Sequence, residues 1–562
     1  MWYTIRGHII YLLFGGVWMK RVPIGVEDFK ELISNNYYVD KSELIKDMIN
    51  EKVVLYTRPR RFGKTLNMSM LYYFFSIKQK DNAHLFKGLK IEKDIEAKKH
   101  QNKYPTIFIT LKDMKRNNFN DQTEKFAALI SDIVDKNIEL LKSPFLNERQ
   151  KNLLCQYLNT TSSLSNLQDA LLNISICLQK HYHNKVVILI DEYDVPLQEA
   201  YINNYYEEMI DFLKNVFSAA LKTNDVLQKG VLTGCLRIAK ESIFTGLNNF
   251  SICSILDEIS DNRFGFTNDE IVDILNYYHL EQYQNEFKRW YDGYLFGKTE
   301  IYNPWSTLLY VNKLIKTSSV TGELFWANTS GNEIIYRYIT NNNFELKEEF
   351  AILVKGGMIK KVIKPELTSR QMDDLNNIYS FLLFTGYLKI NKYLDYNYYE
   401  LMIPNHEIRM IYKETFDDWT KEIIENNSQK LIDALLNKDE DEANKILNYI
   451  LLQSISYYDN KESFYHGFMI GLMNGNNTYS NIETGDGRSD IKYLPVNKEK
   501  RGFILELKLV KDKDLYDTAI EGCDQIVEKR YMESEKVRGY QDIVGYGIAF
   551  DKKRCFIKMV KD

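Results

Sequence analysis

The sequence has little glycine and proline. Its 562 residues include 27 glycines and 9 prolines, about half the share that soluble proteins usually have. Flexible Gly-rich linkers and extended Pro-rich linkers are therefore excluded, and helices or short polar turns must join the domains. The length predicts three or four domains of about 150 residues. With 44% hydrophobic and 27% charged residues, the composition is globular and argues against long disordered stretches.

Cysteine is scarce and scattered. The six cysteines form no CxxC pair, and none stands with the eight histidines at the spacing of a zinc site. This pattern argues against a disulfide framework and against a structural zinc site. It favours a reduced, cytoplasmic environment.

The chain has no large excess of charge of either sign. There are 73 Lys and Arg against 77 Asp and Glu, so the formal net charge is -4. Histone-like polycations and polyacidic tail proteins are thereby excluded. A local basic groove would not be visible in this sum.

Long apolar runs are missing, and the nearest approach to one lies at residues 9–18 (IIYLLFGGVW). Ten residues is half of the roughly 20 that a membrane-spanning helix needs, and no small-residue cleavage site of a signal peptide follows. We therefore expect no membrane association. We interpret residues 1–21 as a non-native or disordered extension upstream of a natural start at Met19, with a membrane anchor as the less favoured alternative.

A strand, a tight loop and a helix follow one another early in the chain. Residues 52–57 (KVVLYT) are typical of a buried strand, and the apolar spacing becomes helical after Lys64. This is the context of a phosphate-binding loop. Gly63 would let the backbone approach an anion, Lys64 would reach the β and γ phosphates of ATP, and Thr65 would ligate Mg²⁺.

The loop departs from the usual GxxxxGK[ST] pattern. Arg58, followed by Pro59, stands where that pattern has its leading glycine. Two further arginines make the loop strongly cationic. The predicted nucleotide-binding residues of the loop are Arg60, Arg61, Phe62, Gly63, Lys64 and Thr65.

A second motif would complete the nucleotide site. Residues 186–194 (VVILIDEYD) are an apolar run that ends in acids, which fits a buried parallel strand whose carboxyl end faces a ligand. Asp191 would hold Mg²⁺, and Glu192 would polarise the attacking water. Alone, such a run is more often a core strand followed by solvated acids. Its occurrence after the loop motif favours the functional interpretation.

Between and after these motifs the pattern predicts a strand at 105–111, helices at 118–142 and 163–180, and a strand at 227–234. Several segments resemble a bacterial AAA-ATPase-like family that carries a restriction-endonuclease-like domain at its carboxyl end. The matching segments are 22–45, 58–71, 186–197, 232–250 and 289–306, and an Arg-rich loop without a leading glycine is that family's own version of the motif.

The resemblance implies a P-loop ATPase core of the additional-strand (AAA-like) type at 22–265. The strand at 227–234 would lie beside the strand that bears Asp191, and Thr233 would be a sensor of the γ-phosphate. Arg237 would contact the nucleotide or a neighbouring subunit of a homo-oligomer, although a helix-capping or surface role is equally favoured.

The middle of the chain indicates little chemistry. Thr267 and Glu270 have the spacing of a helix capping box. Aromatic stretches in 289–306 and 325–332 could stack on bases, but packing of a helical lid is favoured. Residues 378–390 with the tyrosine-rich strand after them resemble a winged helix, and polar helices are expected over 403–474. We therefore assign 266–460 to a helical connector.

Near the carboxyl end, two charges interrupt an apolar strand at 501–510 (RGFILELKLV). Glu506 and Lys508 point to the same face of that strand, so they either pair on a solvated edge or attend a metal. Asp490 begins a neighbouring strand. An Asp followed after about 15 residues by Glu-x-Lys is the signature of the PD-(D/E)xK nucleases, which implies a nuclease-like α/β domain at 461–562.

The nuclease signature assigns roles to particular residues. Asp490, Glu506 and the Leu507 carbonyl would ligate Mg²⁺, and Lys508 would orient the attacking water. The helix at 514–531 would support this site through Gln525. Tyr531 on the same helix would also support the site. Glu462 and His466 could complete the metal shell, although a packing role is favoured for His466, and Glu483 and Arg488 are further candidates.

Two functions of different class remain open. The first is an ATP-binding and ATP-hydrolysing protein coupled to a Mg²⁺-dependent nuclease, acting on DNA more than RNA in defence or mobile-element biology. The second is a nucleotide-dependent switch whose nuclease-like module is catalytically silent. Residues 490–562 carry 16 basic and 14 acidic side chains, so the charge of this region does not itself indicate nucleic-acid binding.

Overall fold

The computed structural model describes residues 2–5, 9–14, 17–237, 250–317, 321–326, 344–366, 377–454, 462–473, 477–484 and 487–561. The chain divides into two compact units. The first comprises residues 1–329 and 356–410, and the second comprises residues 330–355 and 411–562. The predicted connector is thus shared between the two units. The three-domain boundaries at 265 and 460 stay predictions.

The strands are grouped here in chain order. They are β1 (Trp2–Ile5), β2 (Ile9–Phe14), β3 (Val17–Met19), β4 (Val53–Thr57), β5 (Thr106–Thr110), β6 (Val186–Asp191), β7 (Leu227–Gly234), β8 (Phe250–Cys253), β9 (Tyr294–Phe296), β10 (Thr299–Ile301), β11 (Ile359–Val362), β12 (Lys389–Asp395), β13 (Tyr398–Met402), β14 (Thr478–Thr484), β15 (Gly487–Tyr493), β16 (Gly502–Leu509), β17 (Ile543–Asp551) and β18 (Arg554–Met559).

The helices of the first unit are α1 (Phe29–Asn35), α2 (Leu44–Met48), α3 (Lys64–Phe75), α4 (Ile95–Lys98), α5 (Phe119–Asp135), α6 (Glu148–Leu158), α7 (Leu164–Gln168), α8 (Ala170–Tyr182), α9 (Val195–Ile202), α10 (Tyr206–Phe217), α11 (Asn268–Tyr278), α12 (Gln284–Tyr291), α13 (Pro304–Thr317) and α15 (Ile378–Thr385). In the second unit they are α14 (Phe344–Val354), α17 (Glu440–Ser454), α18 (Glu462–Leu472), α19 (Leu515–Glu528) and α20 (Tyr531–Val537). Helix α16 (His406–Leu436) begins in the first unit and continues in the second.

A parallel sheet organises the first unit. Its strand order is β5-β6-β7-β4-β8, and every neighbouring pair is parallel. Strands β4 and β6 are buried along their whole length, as expected for a sheet covered on both faces. Strand β7 lies between β4 and β6, which confirms the predicted additional strand. The carboxyl ends of all three therefore meet at one edge, where α/β sheets bind ligands.

Helices cover this sheet and complete its core. Apolar side chains of β4 to β7 pack with those of α5, α8 and α10, including Ile130, Ile174 and Leu213. Helix α5 has apolar side chains along one side at helical spacing. The helical patterns predicted from the sequence at 118–142 and 163–180 are confirmed.

The aromatic stretches of the middle region are buried. Tyr291, Tyr294, Tyr302 and Trp326 are each at most 2% exposed, which confirms packing instead of base stacking for these side chains. Residues 327–332 lie outside the described residues. Helix α15 is followed by the β12–β13 hairpin, and β11 completes an antiparallel sheet of order β11-β13-β12. The winged-helix assignment stays a prediction.

The first residues of the chain form strands. Strands β1, β2 and β3 make an antiparallel sheet. That residues 1–21 are a non-native or disordered extension stays a prediction. No helix in the described part of the chain has both the length and the apolar character to cross a membrane.

A mixed sheet organises the second unit. Its order is β14-β15-β16-β17-β18, with β16 and β17 parallel and the other neighbours antiparallel. The predicted strand at 501–510 is confirmed as β16, and α16 to α18 confirm the helices expected over 403–474. Helix α19 lies within the segment predicted as a helix at 514–531. Helix α20 begins at the last residue of that segment, Tyr531, and continues beyond it.

Helix α17 covers one edge of this sheet. Asn444 makes two hydrogen bonds to the backbone of Ile557, and Asn448 makes two to the backbone of Cys555, all between 2.8 and 3.0 Å. The two amides stand four residues apart on the helix and therefore face the same strand. They take the place of a further strand beside β18, which protects that edge from pairing with another chain.

Candidate active sites

The loop between β4 and α3 is shaped to receive an anion. Gly63 precedes α3 with a φ of +81°, and no side chain caps the helix start. The first N–H groups of a helix lack partners within the helix and carry its positive dipole end. Within 4 Å of the position that a Cβ of Gly63 would occupy there is no other heavy atom. The backbone conformation requires the glycine, and uncapped N–H groups at a helix start are suited to bind a phosphate.

Lys64 is buried among acceptors and acids. Its Nζ donates to the carbonyls of Arg58 and Pro59, both at 3.1 Å, and lies 3.4 Å from Cys235 Sγ. Nζ also lies 3.3 Å from Glu192 Oε1. Burial alone would lower the pKa of Lys64, but Cys235 and the neighbouring acids raise that pKa overall. The side chain is therefore a permanent cation beside the uncapped helix start.

Asp191 gathers three hydroxyl groups at the end of β6. Its Oδ2 accepts from Thr65 at 2.8 Å and from Thr110 at 3.3 Å, and its Oδ1 accepts from Thr233 at 2.5 Å. Burial, followed by the adjacent Glu192, raises the pKa of Asp191. The structure thus brings together the residues predicted as Mg²⁺ ligands, Thr65 and Asp191, and the predicted sensor Thr233. Carboxylate and hydroxyl oxygens are suitable Mg²⁺ ligands.

Glu192 takes an unusual backbone conformation. Its φ is +54°, in the left-handed region that side chains other than glycine rarely adopt. Such a conformation is maintained only where the surrounding structure compensates for it, and it is frequent at functional sites. It directs the Glu192 carboxylate to Lys64.

A third acid of the same motif was missed by the sequence reasoning. Asp194 is fully buried, and its Oδ2 accepts from the backbone N–H groups of Cys235 and Leu236 at 3.0 and 2.9 Å. Burial, with a contribution from Glu192, raises the pKa of Asp194 to about 6. Asp194 therefore positions the chain directly after Thr233. In the sequence, the position of Asp194 in the IDEYD motif could have indicated its importance. Its role was not visible there because its hydrogen-bond partners lie about forty residues further along the chain.

Arg58 has a structural role at the position of the missing glycine. It is fully buried, with its guanidinium 5.1 Å from the ring centre of Phe264 and 5.3 Å from that of Phe296. It donates to the carbonyls of Thr57, Cys253 and Ser260. Burial lowers the pKa of Arg58 to about 10, so it stays charged at neutral pH. The arginine fixes the start of the loop to β8 and the turn after it.

The other predicted loop residues have different surroundings. Arg60 donates to Gln198 at 3.1 Å. Arg61, with a φ of +68°, stacks its guanidinium 4.2 Å from the ring centre of Trp305. The ring of Phe62 is buried against Tyr294, Phe296 and Trp326. The ring of Phe62 is therefore not available to a nucleotide, and a contact with the nucleotide would have to come from its backbone.

Arg237 pairs with an acid of its own unit. Its Nη2 lies 2.5 Å from Glu366 Oε1, and the arginine side chain is 24% exposed. Residues 238–249, which include most of the segment matched at 232–250, lie outside the described residues. A contact of Arg237 with nucleotide or with a neighbouring subunit stays a prediction.

In the second unit, β15, β16 and α19 bring together the predicted nuclease residues. Glu506 Oε1 accepts from Lys508 Nζ at 3.1 Å and from Gln525 Nε2, and Lys508 Nζ donates to Gln525 Oε1 at 2.7 Å. Asp490 Oδ2 accepts from the N–H of Leu507 at 2.8 Å. The strand charges that stood out in the sequence therefore form one connected polar cluster with Gln525.

Glu506 has the properties of a metal ligand. It is 2% exposed, and its Oε2 has no hydrogen-bond partner among the described residues. Burial, and next the nearby Asp490, raises the pKa of Glu506 to about 7. A buried carboxylate oxygen without a partner is costly, and a divalent cation between Glu506 and Asp490 would remove that cost.

The Leu507 carbonyl also faces this cluster. Its N–H points toward Asp490, and the N–H and C=O of one strand residue point to the same side. Strand β15 pairs with β16 only as far as Ile491 and Leu505. The Leu507 carbonyl therefore lies beyond the end of that ladder, where it can serve as the predicted third oxygen ligand.

Two of the further candidates contact the backbone of β15. Tyr531 donates to the backbone carbonyl of Arg488 at 2.9 Å. His466 Nε2 lies 3.2 Å from the backbone carbonyl of Asp490 and 3.4 Å from Ser480 Oγ. The side chains of Glu462 and Glu483 lie outside the described residues. Among the residues that the structure describes, no group of three or more His, Cys, Asp or Glu could hold a metal. A donor set of Asp490, Glu506 and the Leu507 carbonyl stays a prediction.

Family models match the two regions of the chain that contain these residues. Residues 23–244 match the family model described as "Predicted AAA-ATPase", and residues 460–560 match that of the PD-(D/E)XK nuclease superfamily. The chain combines an AAA-ATPase-like domain with a PD-(D/E)XK nuclease superfamily domain. The AAA-ATPase-like domain contains Lys64 and Asp191, and the nuclease superfamily domain contains Asp490 and Glu506.

A curated relative is similar to part of the chain. Over 305 residues the chain is 26% identical to the "Uncharacterized protein in vnfD 5'region" of Azotobacter chroococcum mcd 1. The match covers 52% of the chain and 52% of that relative, so the chain spans about half the length of the relative it matches. The two domain matches, and not this relative, carry the assignment of the AAA-ATPase-like and nuclease superfamily domains.

Proposed function

We propose that the protein binds and hydrolyses ATP at the first site and that this controls Mg²⁺-dependent cleavage of nucleic acid, DNA in preference to RNA, at the second. The observation that carries the proposal is the cluster of Asp490, Glu506, Lys508 and Gln525, in which a buried oxygen of Glu506 lacks a partner. A silent binding module would not need to keep that costly arrangement.

At the second site each side chain has a distinct task. Asp490, Glu506 and the Leu507 carbonyl would hold Mg²⁺, which offsets charge on the scissile phosphate and lowers the pKa of a bound water. Lys508 would orient the attacking water and stabilise the negative charge that develops. Gln525 holds both Lys508 and Glu506 in place.

At the first site the loop would bind the phosphates of ATP. The uncapped start of α3 and Lys64 supply positive charge. Thr65 and Asp191 would hold Mg²⁺, Thr233 would contact the γ-phosphate, and Glu192 would polarise the attacking water. The observed Thr65–Asp191–Thr233 contacts support these roles.

We also propose a cytoplasmic location, action on foreign or mobile DNA, and assembly into a homo-oligomer. The scattered thiols, none of which forms a disulfide among the described residues, support a reduced compartment. Arg237 lies at the end of β7, at the ligand-binding edge of the sheet, where a neighbouring subunit could use it. Size measurement with and without ATP would test the assembly.

The decisive experiment assays the full-length protein on DNA and RNA with Mg²⁺ or Mn²⁺, in the presence and absence of ATP. Asp490→Ala and Glu506→Ala should abolish cleavage and retain ATP binding, and Lys64→Ala should remove ATP binding and the response to ATP. Asp524→Ala on α19 and Lys80→Ala are exposed controls. Undiminished cleavage by Asp490→Ala and Glu506→Ala would refute the site. ATP binding without any cleavage by the wild type would instead favour a nucleotide-dependent switch.

A further inference from the structure

The nuclease superfamily domain has a second concave site beside the carboxylates. A cavity of about 390 Å³ opens next to β14 and β15. Cationic and aromatic side chains predominate in its lining. The lining residues that matter here are Tyr479, Lys492, Lys498, Glu535, Arg538 and Tyr540.

The strand register places this cavity close to the predicted metal ligands. Tyr479 lies opposite Lys492 across β14 and β15, and Lys492 lies opposite Ile504 across β15 and β16. Asp490 is two residues from Lys492, and Glu506 is two residues from Ile504. Because side chains two residues apart point to the same face, the cavity and the carboxylates share one face of the sheet, about 7 Å apart along the strands.

The cavity carries a local excess of positive charge. Lys492 forms a fully buried ion pair with Glu535 at 2.7 Å, and Arg538 Nη1 contacts the same carboxylate at 3.1 Å while remaining 50% exposed. Lys498 donates to the carbonyl of Arg538 at 2.7 Å. Three cations and one acid therefore line a site in a region of nearly balanced charge. The exposed cations, Lys498 and Arg538, are available to a phosphate.

The aromatic rings supply a second kind of contact. Tyr479 lies on strand β14, where a side chain can face a core, but its own side chain is 43% exposed. The ring of Tyr540 is held from one side by the Lys498 ammonium, 5.5 Å from its centre. Exposed rings beside cations are the combination that binds single-stranded nucleic acid by stacking and charge.

We propose that this cavity binds one nucleotide of a single-stranded nucleic-acid segment, next to the phosphate that is cleaved at Asp490 and Glu506. The base lies against Tyr479 and Tyr540, and the phosphate contacts Lys498 and Arg538. This inference rests on the proposed nuclease function for its position relative to the cut, but binding at the cavity is measurable without cleavage.

The test measures binding of a fluorescein-labelled single-stranded DNA oligonucleotide to the full-length protein by anisotropy in EDTA, where no metal supports cleavage. Tyr479→Ala should weaken binding about tenfold, the typical effect of losing one stacked base, whereas Tyr479→Phe should keep the affinity. Lys498→Ala and Arg538→Ala should each weaken binding and reduce the salt dependence by about one counterion.

Matched controls are available in the same domain. Tyr516 is 47% exposed and Lys536 is exposed on α20, and neither lines the cavity, so Tyr516→Ala and Lys536→Ala should bind as the wild type does. Equal affinity of Tyr479→Ala and wild type would overturn the inference. So would competition by a free mononucleotide as strong as that by the oligonucleotide, since it would make the cavity a mononucleotide site.

The failure of this inference differs from failure of the nuclease proposal. Asp490→Ala should lose cleavage and still bind the oligonucleotide in EDTA as the wild type does, whereas Tyr479→Ala should lose affinity in EDTA. If no variant or wild type cleaves, but binding still depends on Tyr479, Lys498 and Arg538, the cavity stands as a nucleic-acid site without catalysis. If cleavage occurs and these three variants bind normally, the cavity assignment is wrong.

Discussion

Lys64 Nζ lies 3.3 Å from Glu192 Oε1, so the lysine that would bind the phosphates contacts the acid that would activate water. The lysine side chain is 2% exposed and the glutamate 19%. For Lys64 to reach a phosphate, it must exchange contacts with Glu192 and with the carbonyls of Arg58 and Pro59. The pair would therefore link ATP binding to the position of the proposed general base, Glu192.

Glu192→Gln should separate ATP binding from hydrolysis. The amide no longer attracts Lys64 by charge, so ATP affinity should stay equal or rise. Hydrolysis should fall by about 10²-fold or more, because the general base is lost. Calorimetric ATP titration and phosphate release measure the two effects. Glu208→Gln, exposed on α10, should change neither, and unchanged hydrolysis in Glu192→Gln would assign the base elsewhere.

Arg58→Gly tests the departure of the loop from the usual motif. The change restores the expected glycine, yet it should not improve ATP binding. It removes the Arg58 donor from the Cys253 carbonyl and one of two donors from the Ser260 carbonyl, and it removes the guanidinium packed beside Phe264 and Phe296. A buried acceptor left unsatisfied costs about 1–3 kcal/mol, and the cavity left by a large buried side chain adds to that cost. The free energy of unfolding should therefore fall by about 3 kcal/mol or more, measured by urea denaturation.

Arg58→Lys serves as the matched variant for that prediction. Lysine keeps the charge. Its ammonium cannot reproduce the planar set of hydrogen bonds that the guanidinium donates, and it cannot stack against Phe264 and Phe296. We expect intermediate stability. If Arg58→Gly is as stable as the wild type and binds ATP more tightly, the structural role assigned to Arg58 is refuted.

The two site motifs could be predicted because each is local in the sequence. A buried strand, a loop and a helix identify Gly63 and Lys64, and strand alternation places Glu506 and Lys508 on one face. The additional strand β7 followed from the resemblance to a known family. In these cases the chemistry depends on neighbours within a few residues, or on strand ends that a parallel sheet brings to one edge.

The missed features depend on contacts between distant residues. Asp194 meets Cys235 and Leu236, and Arg58 meets Ser260 about two hundred residues later. Nothing near these residues in the sequence indicates their partners. The amide contacts of Asn444 and Asn448 with β18 are of the same kind, because asparagine on a polar helix is ordinarily a surface residue.

Gly547→Ala should disturb the nuclease site indirectly, by displacing helix α19. A Cβ at Gly547 would lie 2.0 Å from the Ala519 carbonyl oxygen and 2.7 Å from the Cys523 nitrogen, and backbone atoms cannot give way as a flexible side chain can. Helix α19 must then move away from β17, taking Gln525 from Glu506 and Lys508. We expect a loss of about 1–3 kcal/mol in stability and a fall in cleavage of tenfold or more, beyond what the lost folded fraction explains.

Gly471→Ala on α18 is the control for that experiment. No other heavy atom lies within 4 Å of the position of its added Cβ, and alanine favours a helix over glycine by about 1 kcal/mol. This variant should be as stable as the wild type or slightly more so, with unchanged cleavage. If Gly547→Ala behaves in the same way as Gly471→Ala, close packing of α19 on β17 does not position Gln525.

A buried carboxylate at the start of α16 should make the stability of the first unit depend on pH. Glu407 is fully buried. Its Oε1 accepts from the Ser306 hydroxyl and from the N–H groups of Phe325 and Trp326, at 3.0, 2.8 and 2.9 Å. Its Oε2 has no hydrogen-bond partner among the described residues.

Burial raises the pKa of Glu407 from 4.5 to about 7. Because the folded protein binds this proton more tightly than the unfolded chain, the contribution to stability is complete below pH 4.5 and is lost as pH rises through about 7. Glu407→Gln should therefore match the wild type near pH 5 and exceed it at pH 8. The difference should reach about 3 kcal/mol, at 1.36 kcal/mol for each unit of pKa.

Urea denaturation followed by tryptophan fluorescence measures this difference, since Trp326 contacts Glu407 directly. Glu425→Gln, an exposed change on the same helix, should show no gap that grows with pH. A gap between Glu407→Gln and wild type that is the same at pH 5 and pH 8 would mean that the mutation acts through packing. Only a gap that opens between these values attributes the loss of stability to ionisation of Glu407.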